Sequence, residues 1–273
     1  MSSLYGQSPA LSGEETIMNS VYDKTKMQFG KTAQNYVSSV LHAKGADLEV
    51  LVGLAGEVKG KRVLDVATGG GHTALAFARA GAEVTASDLT PKMLSAAKNH
   101  LEASGVNGVS FKEAQAEDLP FDNASFDIVT CRIAPHHFVD PALFVRESAR
   151  VLKQGGQFLL VDNLAPSDVE LAEVMNHIER VRDPSHVKAY TLLTWLGWVV
   201  AAGLEPHHFT RFERTKPYAT WIGYAEAERV QAELETYILG LSAAQRRYFR
   251  VAEENGRLVS LAHEVMLLKA LKV

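Results

Sequence analysis

The segment Val63-Leu64-Asp65-Val66-Ala67-Thr68-Gly69-Gly70-Gly71-His72 constrains the fold more than any other part of this 273-residue chain. An apolar run enters three successive glycines, and a helix-forming stretch over 72–80 follows and stops at Gly81. The next apolar run, 83–88, ends on Asp88, nineteen residues after Gly69. Glycine at a strand-to-helix turn accepts dihedrals that other residues resist and lets the backbone approach a ligand. The first turn of the helix then directs unsatisfied N–H groups at that ligand. An acid closing the second strand at this spacing can accept the hydroxyls of a ribose. The pattern predicts a strand–helix–strand unit built around a nucleotide.

The same rhythm continues through the central third. A helix is expected over 91–104, with Pro91 in its first turn and Gly105 as its stop. Strands follow at 109–113 and 126–130, then a helix over 141–152, and Gly155-Gly156 turns the chain into a strand at 157–162. Strands separated by helices imply a parallel sheet covered on both faces. Beyond Asp162 the rhythm breaks. Helices are expected at 168–181 and 187–202, a strand at 206–214, a mostly helical stretch over 218–254, and a last strand from 258 to about 271 after the Asn255-Gly256 turn.

Composition narrows the class. The chain is 47% hydrophobic and 22% charged, which suits a globular domain. A net charge of −4 offers no bulk attraction to nucleic acid or anionic lipid, so neither is expected as a partner. Cys131 is the one cysteine, which excludes an intrachain disulfide and a thiolate-rich metal site; no metal is expected. The first thirty residues lack a basic start followed by an apolar stretch, and runs such as 195–204 fall short of a membrane span. These features give the expectation of a cytoplasmic protein with no membrane span. Assembly as a homodimer is left open.

The ligand's chemistry is read from Asp65. Gly69-x-Gly71-x-x-Ala74 also matches a dinucleotide fingerprint. A carboxylate at the mouth of the first strand, however, would repel a pyrophosphate. Two like charges about 5 Å apart at an effective dielectric of about 20 cost roughly 3 kcal/mol. The same carboxylate favours a ligand bearing an ammonium or sulfonium group. S-adenosylmethionine carries both, with a ribose for Asp88.

Asp65-x-Ala67-x-Gly69-x-Gly71, Asp88 followed by Leu89 to Leu94, and Ala116-Glu117-Asp118-Leu119-Pro120-Phe121 together resemble the class I S-adenosylmethionine-dependent methyltransferases. Phe126-Asp127-Ile128-Val129 and Arg150-Val151-Leu152-Lys153-x-Gly155-Gly156 resemble the branch that contains the ubiquinone and menaquinone C-methyltransferases. The resemblance covers about 29–165. It implies an α/β, Rossmann-like, doubly wound sheet of seven strands, mostly parallel with an antiparallel last strand. The expected organisation is an N-terminal helical cap segment at 1–45 and a methyltransferase domain at 46–273, with helical cap insertions at about 166–204 and 217–255. The cofactor contacts it implies are Asp65, Gly69, Gly70 and Gly71 around the methionine part and Asp88 on the ribose, with Ala67, Leu89, Met93 and Arg132 as further cofactor contacts. Gln115, Ala116 and Glu117 would lie near the adenine. Ala67 stands where many members have the first glycine, and Gln115 where an acid is common; its amide oxygen can still accept a hydrogen bond. Phe29 and Tyr36 lie in a segment, Phe29 to Tyr36, resembling the one that closes over the cofactor.

Ligands in such sheets lie beyond the carboxyl ends of the strands, so residues 131–138 should line the acceptor pocket. His137, with His136 second, is the candidate base or orienting group for a small-molecule acceptor. A loop contact to backbone is the competing role for this pair. Arg180, Arg182 and His186 form a second polar cluster that could grip an anionic acceptor, or could be a solvated helix end. Trp195, Trp198 and Trp221 read as core or cap packing. The expected activity is methyl transfer to carbon, oxygen or nitrogen of a small molecule. An NAD-dependent oxidoreductase and a non-catalytic S-adenosylmethionine-binding protein are the competing classes.

Overall fold

A computed structural model describes residues 22–24, 26–27, 45–224 and 228–273. Residues 22–24 and 26–27 are helical. The rest of the expected N-terminal cap, with Phe29 and Tyr36, lies outside the described residues.

Helix α1 (Ala46–Ala55) leads into β1 (Arg62–Val66), α2 (His72–Arg79), β2 (Glu83–Asp88), α3 (Pro91–Ala103) and β3 (Ser110–Glu113). Then come β4 (Phe126–Arg132), a 3-10 turn (Pro135–His137), α4 (Pro141–Val151) and β5 (Leu152–Asn163). The second half contributes α5 (Val169–Arg182), α6 (Leu192–Ala201), β6 (Leu204–Pro217), α7 (Tyr218–Trp221) and a 3-10 turn (Ile222–Tyr224). Finally α8 (Glu228–Leu239), α9 (Ala243–Tyr248), β7 (Ala252–Glu254) and β8 (Arg257–Lys272) complete the chain.

The main sheet runs β3-β2-β1-β4-β5-β8-β6, with the short β7 paired to β8. The strands β3, β2, β1, β4 and β5 are parallel, and β8 runs antiparallel to β5 and to β6. The expected mixed sheet with an antiparallel last strand is therefore present, with β7 as an eighth strand. Along the central strands, apolar residues serve both faces in alternation. Leu64, Val129, Phe158, Leu160 and Met266 enter one buried cluster. Val63, Ile128, Leu159, Val161 and Val265 enter the other. Burial on both faces is why these strands read as continuous apolar runs rather than alternating ones.

A third cluster forms under the late helices, where Val174, Met175 and Ile178 of α5 meet Trp221, Leu234, Ile238, Leu258 and Leu261. Trp195 is fully buried in the main core and Trp221 is buried in this third cluster. Four sequence expectations are corrected here. Helix α6 starts at Leu192, not 187, because Thr191 caps it by accepting the Thr194 N–H. The described residues of 218–254 are mostly helical, as expected, but the last of them, Ala252–Glu254, form β7 instead. The strand expected at 206–214 extends over Leu204–Pro217 because β8 pairs with it throughout. Finally, β5 begins at Leu152, before the glycine pair, with an irregular register opposite Phe126 and Ile128.

Register fixes the site. Val66 lies beside both Ser87 and Cys131, so the carboxyl ends of β1, β2 and β4 come level, and the loops that follow them converge.

Candidate active site

The converging loops line an open cavity at the carboxyl edge of the sheet. Ala67, Thr68, Gly69 and Gly70 form one wall; Asp88, Leu89, Thr90 and Met93 form the next. Residues Ala114 to Glu117 contribute a third wall, and Arg132, Ile133, Ala134, His137 and Phe138 a fourth. Tyr22, His72 and Thr73 complete the lining.

The glycine loop is held in an unusual backbone conformation. Ala67, Gly69 and Gly71 have φ of +54°, +53° and +80°. At Gly69 a Cβ would meet nothing within 4 Å, so the loop leaves open space on that side. At Gly71 a Cβ would lie 2.7 Å from Leu101 Cδ1 and 3.0 Å from Ala97 Cβ, so glycine is needed there to seat the loop on α3. His100 of α3 fastens the same loop. Its Nδ1 lies 2.7 Å from the Gly70 carbonyl, which can only accept, so this nitrogen carries the proton.

Asp88 closes β2 with both oxygens engaged: Oδ2 accepts the Gly69 N–H at 3.0 Å and Oδ1 accepts the Thr90 N–H at 2.9 Å. Burial pushes its carboxyl up to about 6. Asp65 sits one layer deeper and does not line the cavity. Its Oδ2 accepts the Thr68 hydroxyl at 2.6 Å, and the Ala74 N–H also donates to it. Burial pushes it up to about 7 against these bonds. The carboxyl expected to face the ligand therefore braces the loop from below, and its charge near neutral pH is partial.

Glu117 accepts the Val139 N–H at 3.0 Å and the Asp140 N–H at 3.3 Å, and Tyr22 donates to it from the N-terminal helical segment. Burial raises both groups. On the opposite side, Arg132 Nε donates to Asp47 Oδ2 at 2.6 Å, and Arg214 of β6 reaches Asp47 Oδ1 at 3.1 Å. Burial raises the Asp47 carboxyl, but the two guanidinium groups outweigh it and hold the carboxyl below its usual value. Asp47 thus ties α1 to the wall of the cavity.

The two adjacent histidines diverge. His137 lines the cavity, whereas His136 turns into the core, where its Nδ1 lies 2.5 Å from Asp162 Oδ1. The His137 Nδ1 lies 3.0 Å from the Ser185 carbonyl. Burial, and then the neighbouring His136, lower the His137 imidazole to about 4. The turn that carries them is clamped to the cap, since the His136 carbonyl accepts the N–H groups of Val187 and Lys188.

The second polar cluster does not reach the cavity, which corrects the expectation of an anion grip. Arg180 is 43% exposed and faces Glu173 at 3.9 Å. Arg182 is committed to the buried Glu179, with Nη2 3.0 Å from Oε2, and stacks over Trp221. His186 is buried; its Nε2 lies 2.9 Å from Asn176 Oδ1, and burial lowers it to about 2. Gly71 and His136 are likewise behind the lining rather than in it. Sequence reasoning missed Tyr22, Thr68, His72, Thr73 and Thr90 in the lining, and Asp47 behind it. Thr68 and Thr90 adjoin residues that were read as binding, which was the available signal; Tyr22 and Asp47 had none.

Among the described residues, no His/Cys/Asp/Glu group is arranged to hold a metal ion. No helix among them is long and apolar enough to cross a membrane.

A cavity at the carboxyl edge of a 3-2-1-4-5 parallel sheet, extended by an antiparallel pair, defines a Rossmann-like fold with its site where such sheets hold ligands. Residues 64–160 match the methyltransferase domain family. The methyltransferase YcgJ of Bacillus subtilis is 38% identical over 247 residues, which span 89% of this chain and 97% of that protein. A methyltransferase structure from Bacillus halodurans superposes with a TM-score of 0.81 at 40% identity, covering 84% of this chain and 99% of that one. A ubiquinone biosynthesis O-methyltransferase of Xanthomonas axonopodis pv. citri is 39% identical over 155 residues, 55% of this chain and 64% of that protein. The chain belongs to the class I S-adenosylmethionine-dependent methyltransferases.

Proposed function

We propose that this chain transfers the methyl group of S-adenosylmethionine to a small-molecule acceptor held in the cavity at the carboxyl edge of its sheet, with residues 46–273 as the catalytic domain and 1–45 as a cap. The observation that carries the reading is Asp88, a buried carboxylate in the cavity wall tied to the glycine loop through the Gly69 N–H. A carboxylate oxygen has further acceptor capacity after one N–H bond, so Asp88 can take ribose hydroxyls without releasing the loop. Leu89, Met93 and Ala116 supply apolar surface for a flat base, and Gln115 an amide for its edge. The open space over Gly69 fits the methionine part. The chemistry of these groups suits the cofactor.

When bound, S-adenosylmethionine supplies an electrophilic methyl group. The protein's own contribution is then orientation and exclusion of water, which can be worth up to about 7–11 kcal/mol. His137 is neutral near pH 7, and the Ser185 carbonyl beside Nδ1 puts the proton on that nitrogen and the lone pair on Nε2. An imidazole whose conjugate acid titrates near 4 is a weak base. Its role is to accept a hydrogen bond from the acceptor and aim it, more than to remove its proton.

Exclusion of a dinucleotide rests on family membership more than on Asp65, because burial removes part of the charge that would repel a pyrophosphate. Calorimetric titration with S-adenosylhomocysteine and with NAD tests the reading. Binding of S-adenosylhomocysteine alone is expected; binding of NAD alone overturns it.

A further inference from the structure

The segment between α5 and α6 contributes no residue to the cavity lining, yet it controls one that does. The His137 Nδ1 lies 3.0 Å from the Ser185 carbonyl oxygen and 3.1 Å from the Ser185 hydroxyl oxygen. That hydroxyl donates to Asp183 Oδ1 at 2.6 Å, and the Ser185 N–H donates to the same oxygen at 2.9 Å. All three residues are buried, and Asp183 is 2% exposed.

Proton accounting leaves one arrangement. A carbonyl oxygen only accepts, and the single hydroxyl proton of Ser185 is spent on Asp183. Both oxygens of Ser185 therefore present lone pairs to Nδ1, which must carry the ring proton. We infer that Asp183 and Ser185 are positioning residues that lock His137 in its Nδ1–H tautomer and fix the direction of its ring, so that the cap insertion sets what the cavity histidine can do. The consequence for catalysis rests on the methyltransferase reading above; the lock itself does not. With the lone pair held on Nε2, the His137 ring can only accept a hydrogen bond at that nitrogen.

Asp183 is the essential member. Without its carboxylate the Ser185 hydroxyl is released to donate to Nδ1, and the Nε2–H tautomer becomes available. Asp183 is itself held in place by the 2.8 Å bond from its N–H to the Glu179 carbonyl, with the Arg182 guanidinium 3.9 Å from Oδ2. Rings of His136 and His186 stand 4.2 and 6.4 Å from that of His137, and neither meets its Nδ1.

Long-range proton–nitrogen correlation of the nitrogen-15-labelled full chain reads the tautomer directly, with His137 identified by its loss in His137→Gln. The wild type should show a protonated, pyrrole-type Nδ1 and a pyridine-type Nε2. Ser185→Thr should keep that signature, and so should Ser185→Ala, because the carbonyl of residue 185 still only accepts at Nδ1. Asp183→Ala, which frees the Ser185 hydroxyl proton, should shift Nε2 toward the pyrrole type. Should Asp183→Ala fail to fold, Asp183→Leu, which also removes the acceptor of the Ser185 hydroxyl while filling more of its space, decides in its place. A wild-type Nε2–H signature, or one unchanged in the folded Asp183 variant, overturns the inference. Titration of the wild type with S-adenosylhomocysteine, run on the same samples, tests the functional reading separately. Absence of binding there would strike the methyltransferase assignment and leave the tautomer result standing.

Discussion

Asp88 Oδ2 accepts the Gly69 N–H at 3.0 Å, so the acid that ends β2 and the loop that ends β1 are a single unit. The carboxylate proposed to hold the ribose also sets the shape of the loop proposed to hold the methionine part. Removing it should damage both. Asp88→Ala leaves the Gly69 and Thr90 N–H groups without their acceptor, at about 1–3 kcal/mol each where buried. S-adenosylhomocysteine affinity should fall at least about tenfold, equivalent to about 1.4 kcal/mol. Asp88→Asn retains one acceptor oxygen and should fall between. Calorimetry and thermal denaturation on the three proteins check this, and wild-type affinity in Asp88→Ala would remove Asp88 from the site.

The two flanking glycines should separate loop conformation from loop packing. Both have positive φ, which costs a side-chain-bearing residue about 1–2 kcal/mol. Gly69→Ala meets no neighbour within 4 Å, so that strain is its whole stability cost. Gly71→Ala adds the overlap with Leu101 and Ala97, and overpacking of this kind costs a further ~1–3 kcal/mol. Urea denaturation should rank Gly71→Ala as clearly less stable. Gly69→Ala should instead show its larger effect on S-adenosylhomocysteine binding, since its new methyl group enters the open space over the loop.

What the sequence disclosed follows from what local patterns encode. The strand at 83–88 and the helix starting at Pro91 were legible because their apolar runs and turn residues act within a few positions. The apolar residues of β8, buried on both faces, fit helix as well as strand; the Asn255-Gly256 turn before it made the strand legible, and only its antiparallel direction needed the family resemblance. His136 and His137 were legible as a pair and not as individuals. Adjacent residues of a 3-10 turn point about a third of a turn apart, so one can face the cavity while the other meets Asp162, 26 residues on. Nothing near Arg182 in the sequence announces that Lys216 joins it on Glu179. The three-residue β7 is wholly exposed, and so short a strand carries no readable periodicity.

Glu179 should be the least replaceable residue of the cap. It is 1% exposed, with Lys216 Nζ 2.7 Å from one oxygen and Arg182 on the other. Burial raises its carboxyl, but Lys216, then Arg182 and His263, hold it well below the usual range. Glu179→Ala removes the carboxylate that two largely buried cations share, and breaking such a buried pair costs about 3–5 kcal/mol. Lys216→Met should cost less, because Arg182 still answers Glu179 and the methionine stem fills the space beside Trp221. Denaturant midpoints of the two variants measure the order, and equal midpoints would argue that the network is not organised around Glu179.

Arg180→Ala should do almost nothing. Its partner Glu173 is 67% exposed at 3.9 Å, and an ion pair in that setting is worth about 0–1 kcal/mol. Stability and S-adenosylhomocysteine affinity should both match the wild type. A marked loss of affinity would place Arg180 at the cavity after all and restore the anion grip that the geometry removes.

Asp65 makes the charge of the site testable through pH. Burial raises its carboxyl from an ordinary 3.8 to about 7, and that of Asp88 to about 6. Between these limits the folded chain holds protons that the unfolded chain has lost, so both groups make stability fall as pH rises from about 4 to 7. Asp65→Asn deletes one such contribution while keeping an oxygen for the Thr68 hydroxyl. The variant should therefore gain on the wild type steadily across that window and hold its advantage above pH 7, as urea denaturation at pH 5 and pH 8 would show. A cation in the cavity has the opposite preference, since it stabilises the charged carboxylate by Coulomb attraction. Binding of S-adenosylmethionine at pH 7 should then release more protons than binding of the uncharged thioether S-adenosylhomocysteine, and Asp65→Asn should narrow the gap. Calorimetry in buffers of different ionisation enthalpy counts those protons. Equal release for the two ligands would mean that Asp65 braces the loop and has no electrostatic part in choosing the ligand.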